Sequence, residues 1–162
     1  MGGLVIGRRK KTAGAVLLAV FAIGCADETA IMVHVCFEPG VRAELTHVCL
    51  IVRGESRSAL GHVFPLPAGG STIDYSVRPG VELSGREEIV LTVQGLADVA
   101  GVATPRISRT VRTWFEPGAD RDVAVTLEAS CLDFPCADPT NTCAEGTCLS
   151  VVEAAAPRCP GE

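Results

Sequence analysis

Val123-Ala124-Val125-Thr126-Leu127 alternates large apolar side chains with small or polar ones, which in an extended chain puts Val123, Val125 and Leu127 on one face. That period of two marks a half-buried β-strand. The same pattern recurs upstream: Ile31, Val33, Val35 and Phe37 share a face, with Met32, His34, Cys36 and Glu38 on the other. Glu38-Pro39-Gly40 breaks this run, and Val48, Leu50 and Val52 then alternate with His47, Cys49 and Ile51. The two runs read as a hairpin.

Between these ends lie four further candidates. Leu60 to Leu66 is weakened by Pro65 and Pro67, whereas Thr72 to Val77 is closed cleanly by Pro79-Gly80. Ile89, Leu91 and Val93 alternate with Val90, Thr92 and Gln94, and Ile107, Val111 and Phe115 share a face with Arg109 and Thr113. Seven short strands at intervals of about a dozen residues, each bounded by Pro, Gly, Asp or Ser, predict an antiparallel seven-stranded sandwich of immunoglobulin or fibronectin III type. Helical periodicity is absent outside the first two dozen residues.

Those first residues read as a secretory signal. Arg8-Arg9-Lys10-Lys11 precedes an apolar run from Ala13 to Ile23 that ends in small residues beside Cys25. The run is about half the roughly 20 residues needed to cross a bilayer core, so it is set aside from the fold as a cleaved leader, residues 1–24. Its end, Ala22-Ile23-Gly24-Cys25, resembles the lipobox of bacterial lipoproteins, in which a diacylglycerol is attached to the cysteine sulfur and the chain is cut before it. The resemblance implies lipidation at Cys25, with residues 25–30 as a spacer. Lipoproteins with Asp directly after the cysteine are retained at the inner membrane; Ala26 stands there, which by that analogy favours the outer membrane.

Removing 1–24 takes away four basic residues and no acidic one, leaving 10 Arg against 19 Asp and Glu, a balance of −9. Nucleic acid is therefore an unsuitable partner, since no basic and aromatic cluster remains to follow a phosphate backbone. The predicted sandwich occupies residues 31–129, and its core must be built chiefly from Val, Leu and Ala. From residue 130 to 162 the character changes. Apolar periodicity fades and the segment holds Cys131, Cys136, Cys143, Cys148 and Cys159, with turns at Asp138-Pro139 and Glu145-Gly146. A segment of this kind cannot bury a core of its own and is read as a disulfide-stapled tail.

Lipobox, sandwich and tail together resemble a loosely defined group of small, mostly uncharacterised bacterial lipoproteins of myxobacterial type. The residues carrying the resemblance are Trp114-Phe115-Glu116-Pro117-Gly118, the strand Val123 to Leu127, and Cys131 to Cys148 with Thr142-Cys143-Ala144-Glu145-Gly146-Thr147-Cys148 inside it. The resemblance implies location and architecture. It transfers no catalytic residue.

Chemistry is concentrated in the cysteines and histidines. In one register of the predicted hairpin Cys36 lies opposite Cys49 and the two close a cross-strand disulfide; slipped by two, His34, Cys36, His47 and Cys49 form a square suited to tetrahedral zinc. Hydrophobic pattern does not choose between them, but an oxidising compartment favours the disulfide. The spacings within Cys131, Cys136, Cys143 and Cys148 depart from those of zinc ribbons and point to two bridges, with three connectivities open. Cys159 is the candidate free thiol, because lipidation of Cys25 leaves seven cysteines, an odd number. Asp133, Asp138, Asn141 and Glu145 are oxygen donors without a calcium-loop spacing. No nucleophile elbow or phosphate loop occurs, and Glu87-Glu88 point to opposite faces of a strand.

The expectation is thus a non-enzymatic, lipid-anchored envelope protein with no cofactor, its sandwich a binding or spacer module. Its partners would be the membrane, and another envelope protein or a surface polysaccharide. The alternatives are a periplasmic metal-binding protein and a hydrolase or carbohydrate-active protein.

Overall fold

The computed structural model describes residues 5–8, 29–54, 57–80, 83–138 and 140–151. Within them the chain is all-β. Strand β1 is Val5–Arg8, β2 Ala30–Phe37, β3 His47–Gly54, β4 Arg57–Pro65 and β5 Thr72–Arg78. They are followed by β6 Glu87–Val99, β7 Val102–Phe115, β8 Asp120–Leu127, β9 Asn141–Ala144 and β10 Thr147–Ser150. Each of the seven runs expected from period two is one of the strands β2 to β8.

Two four-stranded sheets form, in the orders β1-β5-β2-β8 and β4-β3-β6-β7, and β9 pairs with β10 apart from both. Their inward residues make one core. Ile31, Val33, Val35, Ile73, Tyr75, Val77, Val123, Val125 and Leu127 come from the first sheet. Val48, Leu50, Val52, Ile89, Leu91, Val93, Ile107, Val111 and Phe115 face them from the second. Alternation is what makes this possible, since every second side chain of a strand reaches the same face. The interior is aliphatic, with Tyr75 and Phe115 its largest fully buried members.

Two expectations need correction. First, β2 and β3 are not a hairpin: β2 lies between β5 and β8, and β3 lies between β4 and β6 in the other sheet. The connection passes from one sheet to the other through a 3-10 turn at Val41–Glu44, and it buries Val41 and Leu45 to close that end of the core. Second, the first sheet is mixed, because β2 and β8 pair in parallel, with Ala30 opposite Asp120 and Phe37 opposite Leu127. Within the stretch read as a leader, β1 pairs antiparallel with β5, and Ile6 packs against the core. The edge of β5 offers unpaired backbone groups that an adjacent extended segment satisfies.

Close packing is sharpest at Gly95, where the β6–β7 register shifts by one residue. A Cβ there would lie 2.4 Å from Cδ1 of Leu45 and 2.6 Å from Cγ2 of Ile107. Only a residue without a side chain lets the 3-10 connection seat Leu45 against the second sheet.

The tail is docked rather than free-standing. Cys131 and Cys143 belong to the main core, with Leu132 and Cys136 packed against it. Thr110 donates its backbone N–H to Oγ1 of Thr142 at 2.8 Å, and Arg109 donates to the Cys143 carbonyl. Arg109 sits on the apolar face of β7, and this polar interruption is where β9 meets that strand.

Candidate functional site

His34 is the best-organised polar centre among the described residues. It projects from β2 on the outward face of the first sheet, between Asp74 of β5 and Asp122 of β8. Backbone register places His34 opposite Asp74 and Met32 opposite Asp122, which brings three strands' side chains together. Nδ1 lies 2.8 Å from Asp74 Oδ1, and Nε2 lies 3.1 Å from Asp122 Oδ1. A protonated imidazole donates from both nitrogens, so this arrangement fits the imidazolium. Burial acts most strongly on the ring and by itself lowers its pKa. Its hydrogen bonds to the two carboxylates, then their charges, outweigh burial and raise it above the ordinary 6.5.

The sign follows directly. A raised folded pKa means that the clamp's stabilisation is complete below about pH 6.5 and is lost as pH rises through the folded value. Melting temperature measured across this range is expected to fall on the alkaline side for the wild type, and His34→Asn should remove that component. An identical pH profile in both proteins would contradict the clamp. With both ring nitrogens on carboxylates, His34 acts as a cross-strand tie.

Other chemistry-bearing side chains are also engaged internally. Trp114, the natural platform for a sugar ring, carries the guanidinium of Arg86 at 3.7 Å and that of Arg121 at 3.3 Å from its ring centroid. Such stacking satisfies the π-system with cations. His47 Nδ1 lies 2.9 Å from Thr46 Oγ1, and His62 stacks on Phe64, with centroids 4.7 Å apart. Glu88 pairs with Arg86 at 3.2 Å.

The acidic tail residues separate in the same way. Asp133 makes a two-point ion pair with Arg106, whose hydrogen bond holds its carboxyl below the usual range. Asp138 accepts from the backbone N–H and hydroxyl of Thr140, at 2.8 and 2.7 Å, which lowers its pKa likewise. They serve as ion-pair and turn residues. Among the described residues no group of three His, Cys, Asp or Glu is placed to hold a metal ion.

The cysteines resolve the open connectivity. Cys131 bonds Cys143 and Cys136 bonds Cys148, the first with the third and the second with the fourth of the tail's set. Cys36 is disulfide-bonded as expected, but the partner expected for it is wrong, because Cys49 is a free, buried thiol. Cys36 faces outward from the first sheet and Cys49 outward from the second. Packed sheets stand about 10 Å apart, and two outward side chains diverge from there, so no disulfide can join them. The same separation dissolves the zinc square, since His34 and Cys36 lie on one sheet and His47 and Cys49 on the other. Burial pushes the Cys49 thiol up despite a hydrogen bond involving the backbone of His62, so it stays protonated and unreactive. Cys25 and Cys159 lie outside the described residues, as do most of the leader and the anchoring spacer.

Sequence reading missed the His34 clamp, whose partners lie 40 and 88 residues away. The available signal was an outward His on a strand in a chain with two other outward Asp residues at strand positions. No family model, curated protein or solved structure matches this chain.

Proposed function

We propose that this chain is a non-enzymatic, lipid-anchored cell-envelope protein whose sandwich, of immunoglobulin or fibronectin III type, serves as a binding or spacer module. One observation carries the reading: five of the six cysteines in the described residues are in disulfides, and the sixth is buried. Bridged thiols at this density belong to an oxidising compartment, where a small domain gains stability from cross-links. The basic and apolar leader ahead of Gly24-Cys25 supplies the route out and the attachment point. Internal engagement of His34, Trp114 and the tail carboxylates favours a scaffold over a catalyst. The same arrangement disfavours the metal-binding and carbohydrate-active alternatives.

The anchor is placed at Cys25 and, by analogy with lipoproteins lacking Asp after the cysteine, in the outer membrane. One acyl chain binds a bilayer only marginally, with K of about 10⁴ M⁻¹, so a stable tether needs the several chains such proteins carry. Fractionation tests this. Wild-type protein is expected in the membrane pellet and Cys25→Ser in the soluble fraction; wild-type protein that is wholly soluble would overturn the anchor.

A further inference from the structure

We infer that the end of the sandwich carrying Trp114 docks on the lipid headgroups of the membrane that holds the anchor, with Arg86 and Arg121 meeting headgroup phosphates beside the indole. The inference rests on the lipid anchor proposed above; the docking surface is read from the fold.

The tether decides which end faces the bilayer. Cys25 stands four residues before Thr29, and four residues span at most about 14 Å. Thr29 is fixed just ahead of β2, where its Oγ1 accepts the backbone N–H of Gly118 at 2.9 Å. Gly118 lies in the turn between Phe115, the last residue of β7, and Asp120, the first of β8, and Ala30 pairs with Asp120. Lipid on Cys25 therefore keeps this turn close to the membrane surface. The other end, where Phe37 is opposite Leu127, stands off by the eight residues of β2, about 26 Å at 3.3 Å per residue.

Side chains at the near end suit a headgroup layer. Trp114, the one tryptophan of the chain, is half-buried beside the turn. An indole combines an apolar ring with an N–H donor and settles where hydrocarbon meets water. The guanidinium of Arg86 lies 3.7 Å and that of Arg121 3.3 Å from the ring centroid. Arg121 is held in place by donating from Nε to Oγ1 of Thr113 at 3.2 Å, and the Arg86 side chain stays 52% exposed while paired with Glu88. A planar guanidinium stacks on an aromatic face and still presents N–H donors at its edge to a phosphate.

Charge has the same polarity. Arg53 and Arg112 flank Val90 across the second sheet near this end, and Arg78 closes β5. Glu87, Glu88, Glu116 and Asp120 share the end, so its described side chains are close to balanced. Glu38, Glu44, Asp98 and Glu128 gather at the other end, in a chain whose balance without the leader is −9. A phosphate-bearing surface repels the acidic end and accepts the Arg-rich one, over a Debye length of about 10 Å at 0.1 M salt.

Protein extracted from membranes and reconstituted in vesicles of phosphatidylethanolamine and phosphatidylglycerol tests this, because all tryptophan emission comes from Trp114. With a nitroxide on the lipid headgroup, a quencher that acts only at close range, that emission is expected to fall roughly twofold, as for an indole at headgroup level. Trp114→Phe/Phe134→Trp moves the probe past the end of β8 to the far end, where Phe134 is 45% exposed, and its emission should not change. Arg86→Gln/Arg121→Gln should still float with the vesicles but lose most of the quenching; full quenching in this variant would overturn the phosphate contact. Wild-type protein that floats with the vesicles yet is not quenched, or equal quenching at both tryptophan positions, would overturn the docking surface and leave the anchor standing. Wild-type protein that does not float would overturn both.

Discussion

Phe115→Ala is expected to destabilise the sandwich by about 3 to 5 kcal/mol, the range for truncating a fully buried aromatic side chain. Phe115 is completely buried, at the end of β7 where the chain leaves the second sheet for β8 in the first. The cavity would open between the sheets, lined by side chains that belong to both and cannot collapse inward independently. The neighbouring Trp114 supplies the control. It points to the other face and is held between Arg86 and Arg121, so Trp114→Ala should cost about 1 to 2 kcal/mol, the scale of two partly exposed cation–π contacts. Denaturant melts of the two variants give the comparison, and an equal loss in both would contradict the assignment of faces on β7.

Removing one tail bridge is expected to have the next largest effect, and the two bridges should differ. Both close loops with a sequence separation of 12, so their loop-closure contributions are equal, at about 3 kcal/mol each. Burial is not equal. Cys131 and Cys143 lie in the main core, each 3% exposed, whereas Cys136 only packs against that core and Cys148 is half-buried. The Cys131→Ser/Cys143→Ser pair therefore also places two hydroxyls in an apolar site, at about 1 to 3 kcal/mol for each one left without a partner. Thermal melts of the two double variants should show the larger loss for the buried bridge. The reverse order would mean that the tail does not share the sandwich core.

Strand positions were legible in the sequence because aliphatic alternation reports which residues face inward, and inward residues are the same whichever strand lies alongside. Pairing was not legible for the same reason. The runs at Ile31 and Val48 look like hairpin arms, yet the segment 38–46 is longer than the two to five residues of a typical hairpin loop, and it carries Val41 and Leu45. Two buried aliphatics in a connection are the signature of a chain crossing over the end of a core. Reading the segment only as a turn at Pro39-Gly40 led to the wrong partner for Cys36.

Long-range polar geometry was hidden more completely. His34, Asp74 and Asp122 become neighbours only because β2 pairs with β5 on one side and, in parallel, with β8 on the other, contacts across 40 and 88 residues that no local pattern encodes. The tail was legible as cross-linked, but its connectivity was not, because four cysteines at these spacings permit three pairings. Docking on β7 selects one of them by placing Cys143 in the core beside Cys131.

The central claim is that the domain is exported and held at the envelope through Cys25. The most direct measurement is the mass of the N-terminal proteolytic peptide from protein extracted out of membranes. The account predicts a peptide that begins at Cys25 and carries the added mass of a thioether-linked diacylglycerol. A peptide beginning elsewhere with an unmodified Cys25, or one in which Cys25 is disulfide-bonded, would contradict it.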